Sequence, residues 1–185
     1  MIHAMRTLLL LGALWAGLAV AKESDPPGSI YQLDARLTDQ AGQAQGLDLY
    51  RGSPVLITMF YGSCQATCPM IIDTLRATER ALGPEKATPL RVLMISIDPQ
   101  RDTTEALRQL AATRRIDTAR WTLASTDAAT VRDIAALLDL QYKKLPGGEF
   151  SHSTVIALLS TRGEIEARAT TLGRADPELM DRLRH

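Results

Sequence analysis

The sequence predicts an α/β domain in which helices flank a mixed β-sheet. Three observations carry this: apolar runs of strand length, stretches of helical period between them, and two closing strand-like runs joined by a turn. The chain has 185 residues, enough for one compact domain and a short extra segment. Hydrophobic residues make up 45% and charged residues 23%, which indicates a folded body rather than disorder. Lys+Arg and Asp+Glu are both 21, so nothing suggests the broad electrostatic footprint of a nucleic-acid or anionic-membrane binder.

The beginning of the chain stands apart. Met1 to Arg6 is basic, Thr7 to Val20 is apolar, and Ala19-Val20-Ala21 supplies small residues just ahead of Lys22-Glu23. This order describes a secretory signal peptide over residues 1–21, cleaved after Ala21. As an uncleaved anchor the apolar run is short against the ~20 residues of a spanning helix. The mature protein is therefore expected outside the cytoplasm, in the periplasm, where disulfides form and persist. Residues 22–29, with Pro26, Pro27 and three charges, read as a flexible leader, and residues 30–185 as the domain.

Within the domain, Tyr31 to Thr38 reads as a strand and Asp39 to Gly42 as a turn. Pro54 to Tyr61 (PVLITMFY) is a continuous run rich in β-branched and aromatic residues, the pattern of a strand buried on both faces. A helix follows YGSCQATCP: Ile71, Leu75, Thr78 and Leu82 share one face, with Asp73, Arg76, Glu79 and Arg80 among the other positions. Pro69 suits its first turn and Gly83-Pro84 ends it.

Leu90 to Ile97 is a second buried strand, and Thr103 to Thr113 a helix with Leu107, Leu110 and Ala111 on one side. Trp121 to Ala124 is a third strand. Thr126 or Asp127 caps a helix striped by Val131, Ile134, Ala135 and Leu138. Thr154 to Leu159 and Ile165 to Thr171 form a hairpin about Thr161–Glu164, and Asp176-Pro177-Glu178 starts a last short helix. A thioredoxin-like fold fits this order.

The only two cysteines, Cys64 and Cys68, stand four apart where a buried strand turns into a helix. Open amides and the helix dipole favour negative charge there, so a thiol pKa below the reference of about 8.5 is expected. Thiolates are the nucleophiles of disulfide exchange and soft metal ligands. A loop staple is the plain alternative, but closing so few residues removes little unfolded-state entropy. The spacing alone leaves redox exchange and metal binding both open.

His3 falls in the signal segment and His185 is the last residue, which leaves His152 in the folded body. As a residue just before a strand it can face the loop leaving another strand, or be an ordinary strand-end histidine. Two thiolates and one imidazole would suit Cu(I), and Cu(II) with an added ligand. Structural zinc wants four protein ligands, and no fourth Cys or His exists. Met70 can offer a thioether or pack in the core. Asp98, before Pro99, ends the second buried strand at what should be the same sheet edge, or is a turn residue.

Several blocks resemble the SCO family (SCO1/SenC), the copper-binding, thioredoxin-fold proteins of cytochrome c oxidase assembly. Leu37-Thr38-Asp39-Gln40-Ala41-Gly42 is similar to the family's early hairpin, an N-terminal extension of the fold, and Gly52 to Ile57 to its first core strand. FYGSCQATCPM resembles the CxxxCP signature, SIDPQRDT a second block, and FSHSTVIALLSTRGEI the block with the ligand histidine. The resemblance implies copper held by Cys64, Cys68 and His152, with Asp98 nearby influencing the redox and metal chemistry. Two positions depart from the pattern: Ala66 and Ser151 stand where the family usually has Asp, and both remove negative charge near the site.

The resemblance implies a metallochaperone passing copper to the copper-bearing subunit of cytochrome c oxidase or another copper client. It equally allows a thiol–disulfide oxidoreductase, its Cys64–Cys68 pair a disulfide when oxidised, that reduces client cysteines. A redox-inert exported module with a structural disulfide is the third reading. No nucleic-acid partner is expected, and membrane contact only through a client or an uncleaved signal segment.

Overall fold

A computed structural model describes residues 24–64 and 67–185. The expected signal peptide, and Gln65 and Ala66 of the cysteine loop, lie outside the described residues. The strand expected from Tyr31 starts only at Arg36, because Ile30–Gln32 is a 3-10 turn. Ser29 Oγ accepts the Tyr31 amide at 3.2 Å, and Ile30 N–H donates to Gly163 O at 2.9 Å, which draws Ile30 and Tyr31 into the core. Ahead of this turn Asp25 pairs with Arg51, and Gln32 Nε2 donates to Pro26 O at 2.6 Å.

Strands β1 (Arg36–Asp39) and β2 (Ala44–Gly46) form the antiparallel hairpin. Its turn closes because Asp39 Oδ1 accepts the Ala41 and Gln43 amides, both at 2.8 Å, while Gly42 takes φ +81°. Strand β3 (Val55–Phe60) is buried at all six positions, as its continuous apolar run requires. Helix α1 (Thr67–Leu82) follows the cysteine loop, and a single extra turn, α2 (Pro84–Ala87), begins at the Gly83-Pro84 break. Strand β4 (Arg91–Ser96) pairs parallel with β3. Helix α3 (Thr104–Thr113) is capped by Thr103, whose Oγ1 accepts the Ala106 amide at 3.3 Å.

Strand β5 (Trp121–Ser125) is parallel to β4. Helix α4 (Ala128–Leu138) starts at Asp127, one of the two expected caps, and buries all four expected apolar residues. Beyond it lie β6 (Tyr142–Lys144) and β7 (Phe150–His152), an antiparallel hairpin outside the main sheet. Residues 145–149 form the turn of this hairpin, closed by Leu145 N–H to Glu149 O at 2.7 Å and Gly148 N–H to Leu145 O at 2.9 Å. Strand β8 (Ile156–Leu159) begins two residues later than expected, β9 (Ile165–Ala169) ends two earlier, and α5 (Pro177–Arg184) closes the chain from its Asp176 cap.

Among the described residues the main sheet has seven strands in the order β2-β1-β5-β4-β3-β8-β9, mixed in direction as expected. Helix α5 packs on β9 and α1, and α3 on β5 and β1. The fold is thioredoxin-like. The consequence for function lies at the carboxyl end of β3, where chain direction and register bring three segments together.

Candidate dithiol and metal centre

Register decides what surrounds the cysteines. Phe60 on β3 pairs with Ser96 on β4, and Ile97 N–H donates to Phe60 O at 2.8 Å. The cysteine loop therefore leaves the sheet level with residues 97–102. On the other side Thr58 Oγ1 donates to Val155 O at 2.7 Å, which ties β3 to the segment just after His152.

Cys64 and Cys68 are buried, and their side chains hydrogen-bond to each other. Cys68 Sγ–H donates to Tyr61 O at 3.2 Å, and the same carbonyl accepts Cys64 N–H at 3.1 Å. Burial above all pushes the Cys68 thiol up to about 12, and charge on Cys64 and Asp102 pushes it the same way. This overturns, for Cys68, the expected lowering at a helix start: the helix end favours a thiolate, but desolvation outweighs it. Charge must reach this sulfur by removal of its proton in favour of another partner.

Tyr61 is the residue the sequence did not single out. Its hydroxyl donates to Phe150 O at 3.3 Å and also meets the side chains of Cys64 and Glu149. Burial, and after it Cys64, push the phenol up to about 12. Its ring lies 5.5 Å from that of Phe150 and stands edge-on to His152, at 5.6 Å and 80°. The signal was present, since the aromatic at the end of a buried strand directly precedes the CxxxC loop.

His152 ends β7, opposite Tyr142, and is half-buried. Its Nδ1 is 2.8 Å from Ser153 O. A carbonyl only accepts, so Nδ1 carries the proton and Nε2 the lone pair that a metal takes. The Tyr61 ring stands next to the imidazole. Among the described residues no three His, Cys, Asp or Glu side chains converge closely enough to hold a metal ion.

Asp98 lies at the expected sheet edge, 2% exposed, but its carboxylate pairs with Arg101. The carboxylate that touches the cysteine loop is Asp102, which accepts Gly62 N–H at 3.1 and 2.9 Å through its two oxygens and also accepts the Ser96 hydroxyl. Burial raises its carboxyl, while the Ser96 and Gly62 donors pull the other way. A Cβ on Gly62 would sit 2.5 Å from Asp102 Oδ1, so only glycine admits this approach. The Asp98-to-Asp102 spacing was in the sequence, but the contact with Gly62 needs the β3–β4 register. Met70 is 48% exposed, against the expectation that such a methionine packs in the core.

A groove of about 370 Å³ opens beside the loop, lined by Gly62, Ser63, Asp102, Leu107 and Leu110 among others. A larger cavity of about 550 Å³ lies among Arg76, Arg80, Pro84 and Arg120, around the far end of α1 from the cysteines.

Among solved structures the chain is similar to ScoI of Bradyrhizobium japonicum with copper bound, at 25% identity and a TM-score of 0.68, covering 81% of this chain and 95% of that one. It is also similar to yeast Sco1 with copper bound (18%, TM-score 0.65, 80% and 83% covered). A third, BsSco, is described by a disulfide switch and as a member of the Sco family of cytochrome c oxidase assembly proteins (18%, TM-score 0.66, 80% and 92% covered). A search of curated proteins gave no match. The SCO1/SenC family model matches from Asp25, the partner of Arg51, to Arg184 at the end of α5. That span takes in the whole sheet and every segment around the cysteine loop, and the chain belongs to the SCO1/SenC family.

Proposed function

We propose that this protein is an exported metallochaperone that holds copper with Cys64, Cys68 and His152 and passes it to the copper-bearing subunit of cytochrome c oxidase. The observation that carries the reading is the donor set at the end of β3: two mutually bonded thiols, with an imidazole whose Nε2 keeps its lone pair one aromatic ring away. Soft sulfurs with one nitrogen fit copper in either common oxidation state. Family membership and the copper-bound Bradyrhizobium japonicum relative support it. Export rests on the basic, apolar and small-residue order of residues 1–21. Among the described residues no helix is long and apolar enough to cross a membrane.

Each residue then has a task. Cys64 and Cys68 give up their protons as copper enters, which suits a buried Cys68 that holds its proton until a cation replaces it. Asp102 fixes the loop through Gly62. His152 supplies nitrogen once the Tyr61 ring yields. Cargo leaves by ligand exchange with a client site of similar softness.

A second reading is favoured by the bond between the two thiol groups. Here the Cys64 thiolate attacks a client disulfide, one client sulfur leaves as thiolate, and a mixed disulfide forms. Cys68, deprotonated, then attacks the Cys64 sulfur, releasing the second client thiolate. Two electrons have passed to the client and the pair is left as a disulfide.

The test is addition of copper to the reduced protein, wild type beside His152→Ala. One copper per chain and a sulfur-to-Cu(II) absorption band that weakens or shifts in the variant support the metallochaperone. No copper uptake, with fast exchange against a disulfide substrate, overturns it in favour of the reductase.

A further inference from the structure

The turn between β4 and α3 reaches both halves of the site by two separate lines. One runs from Ser96 and Asp102 to Gly62 and so to the cysteine loop. The other runs through Arg101. Its Nε donates to Asp98, and another nitrogen of the same guanidinium donates to Gly148 O, in the turn of the β6–β7 hairpin. Glu149, next in that turn, stands 4.0 Å from the guanidinium.

The β6–β7 hairpin needs such a hold. Among the described residues it pairs only three residues with three and joins no other strand. A lone two-stranded hairpin is marginal in water. At its base Gln141 and Ser153 bond to each other, and along β7 the Tyr61 hydroxyl reaches Phe150 O. At the turn Arg101 bonds Gly148 O to the body, and the Tyr61 hydroxyl meets the side chain of Glu149. Asp98, the other end of that grip, is buried, and its own N–H is bonded to Ser96 Oγ at 2.9 Å, so it does not swing. A planar guanidinium held at one nitrogen fixes the direction of the others.

We propose that Arg101 is a positioning residue that holds the hairpin carrying His152 at a set distance from the cysteine loop. The strand-end turn is then the part that fixes sulfur and nitrogen relative to each other, through Asp102 on one side and Arg101 on the other. The spectroscopic arm of the test rests on the copper reading above, and the exchange arm does not.

The test uses Arg101→Ala and, because that change strands the buried Asp98 carboxylate, the double variant Asp98→Asn/Arg101→Ala. In the reduced, metal-free protein, amide exchange at Leu145 and Gly148 should speed up by about tenfold or more while β3 amides keep their rates. With Cu(II), the absorption band should move toward that of His152→Ala, while Cu(I) uptake by the two thiols stays within about threefold of wild type. Hairpin exchange within about twofold of wild type in the double variant overturns the proposal. So does a wild-type Cu(II) band in a double variant whose hairpin has loosened. If wild type takes up no copper, the metal reading falls and hairpin exchange alone decides the role of Arg101.

Discussion

The two halves of the site are held in different ways. The cysteine half grows out of β3, buried at every position and bonded on both sides, and its loop is fixed by backbone atoms of Tyr61 and Gly62. The histidine half sits on a hairpin of three residue pairs outside the main sheet, fastened by Arg101 at the turn and Tyr61 along one strand. A firm pair of sulfurs faces a nitrogen on a less firmly held support. Such a division leaves the place of the third ligand to the few contacts that hold its hairpin.

The comparison can be broken most directly at the sulfurs. Cys68→Ser should lower copper affinity by more than about a hundredfold, beyond the effect of losing a neighbouring support. Titration against a competing chelator would measure it, and a smaller loss than in His152→Ala would reverse the ranking of the two halves. Next, Ile57→Ala in β3 should cost about 2–5 kcal/mol, read by urea unfolding. Gly62→Ala drives a methyl against Asp102 and should cost about 1–3 kcal/mol; the same cost in an Asp102→Ala background would show that the carboxylate is not the obstacle.

A gentler probe is pH. The Cys68 thiol is pushed from 9.0 to about 12 and the buried Tyr31 from 10.0 to about 12, so the unfolded chain loses these protons first. Both groups therefore contribute stability that is complete below about pH 9 and lost as pH rises toward 12. Urea midpoints in the reduced protein should fall over that window, and Cys68→Ala should flatten the early part of the fall. Least of all, Ser151→Asp restores the charge usual in the family on an exposed hairpin position and should change stability by no more than about 0.5 kcal/mol. A larger change would mean that the hairpin is as tightly held as the cysteine half.

The same division explains what could be read from the residues. β3 was evident because six consecutive buried positions leave a continuous apolar run, and α4 because Asp127 and its stripe are local signals. The β6–β7 hairpin was missed: Tyr-Lys-Lys and Phe-Ser-His are too short and too polar to show a period, and tertiary contacts hold them. The sequence points to Asp98 and not to Asp102, because the contact with Gly62 depends on the pairing of Phe60 with Ser96. The position of the cysteines at a helix start was visible, but the burial that raises Cys68 was not.

The order of the sheet carries one more consequence, for how this protein meets others. Its two rims are β2, three residues long, and β9, which presents exposed Glu166 and Arg168 among its five residues. Short or charged rims are poor templates for a foreign strand. Neither rim therefore favours sharing a strand with another chain.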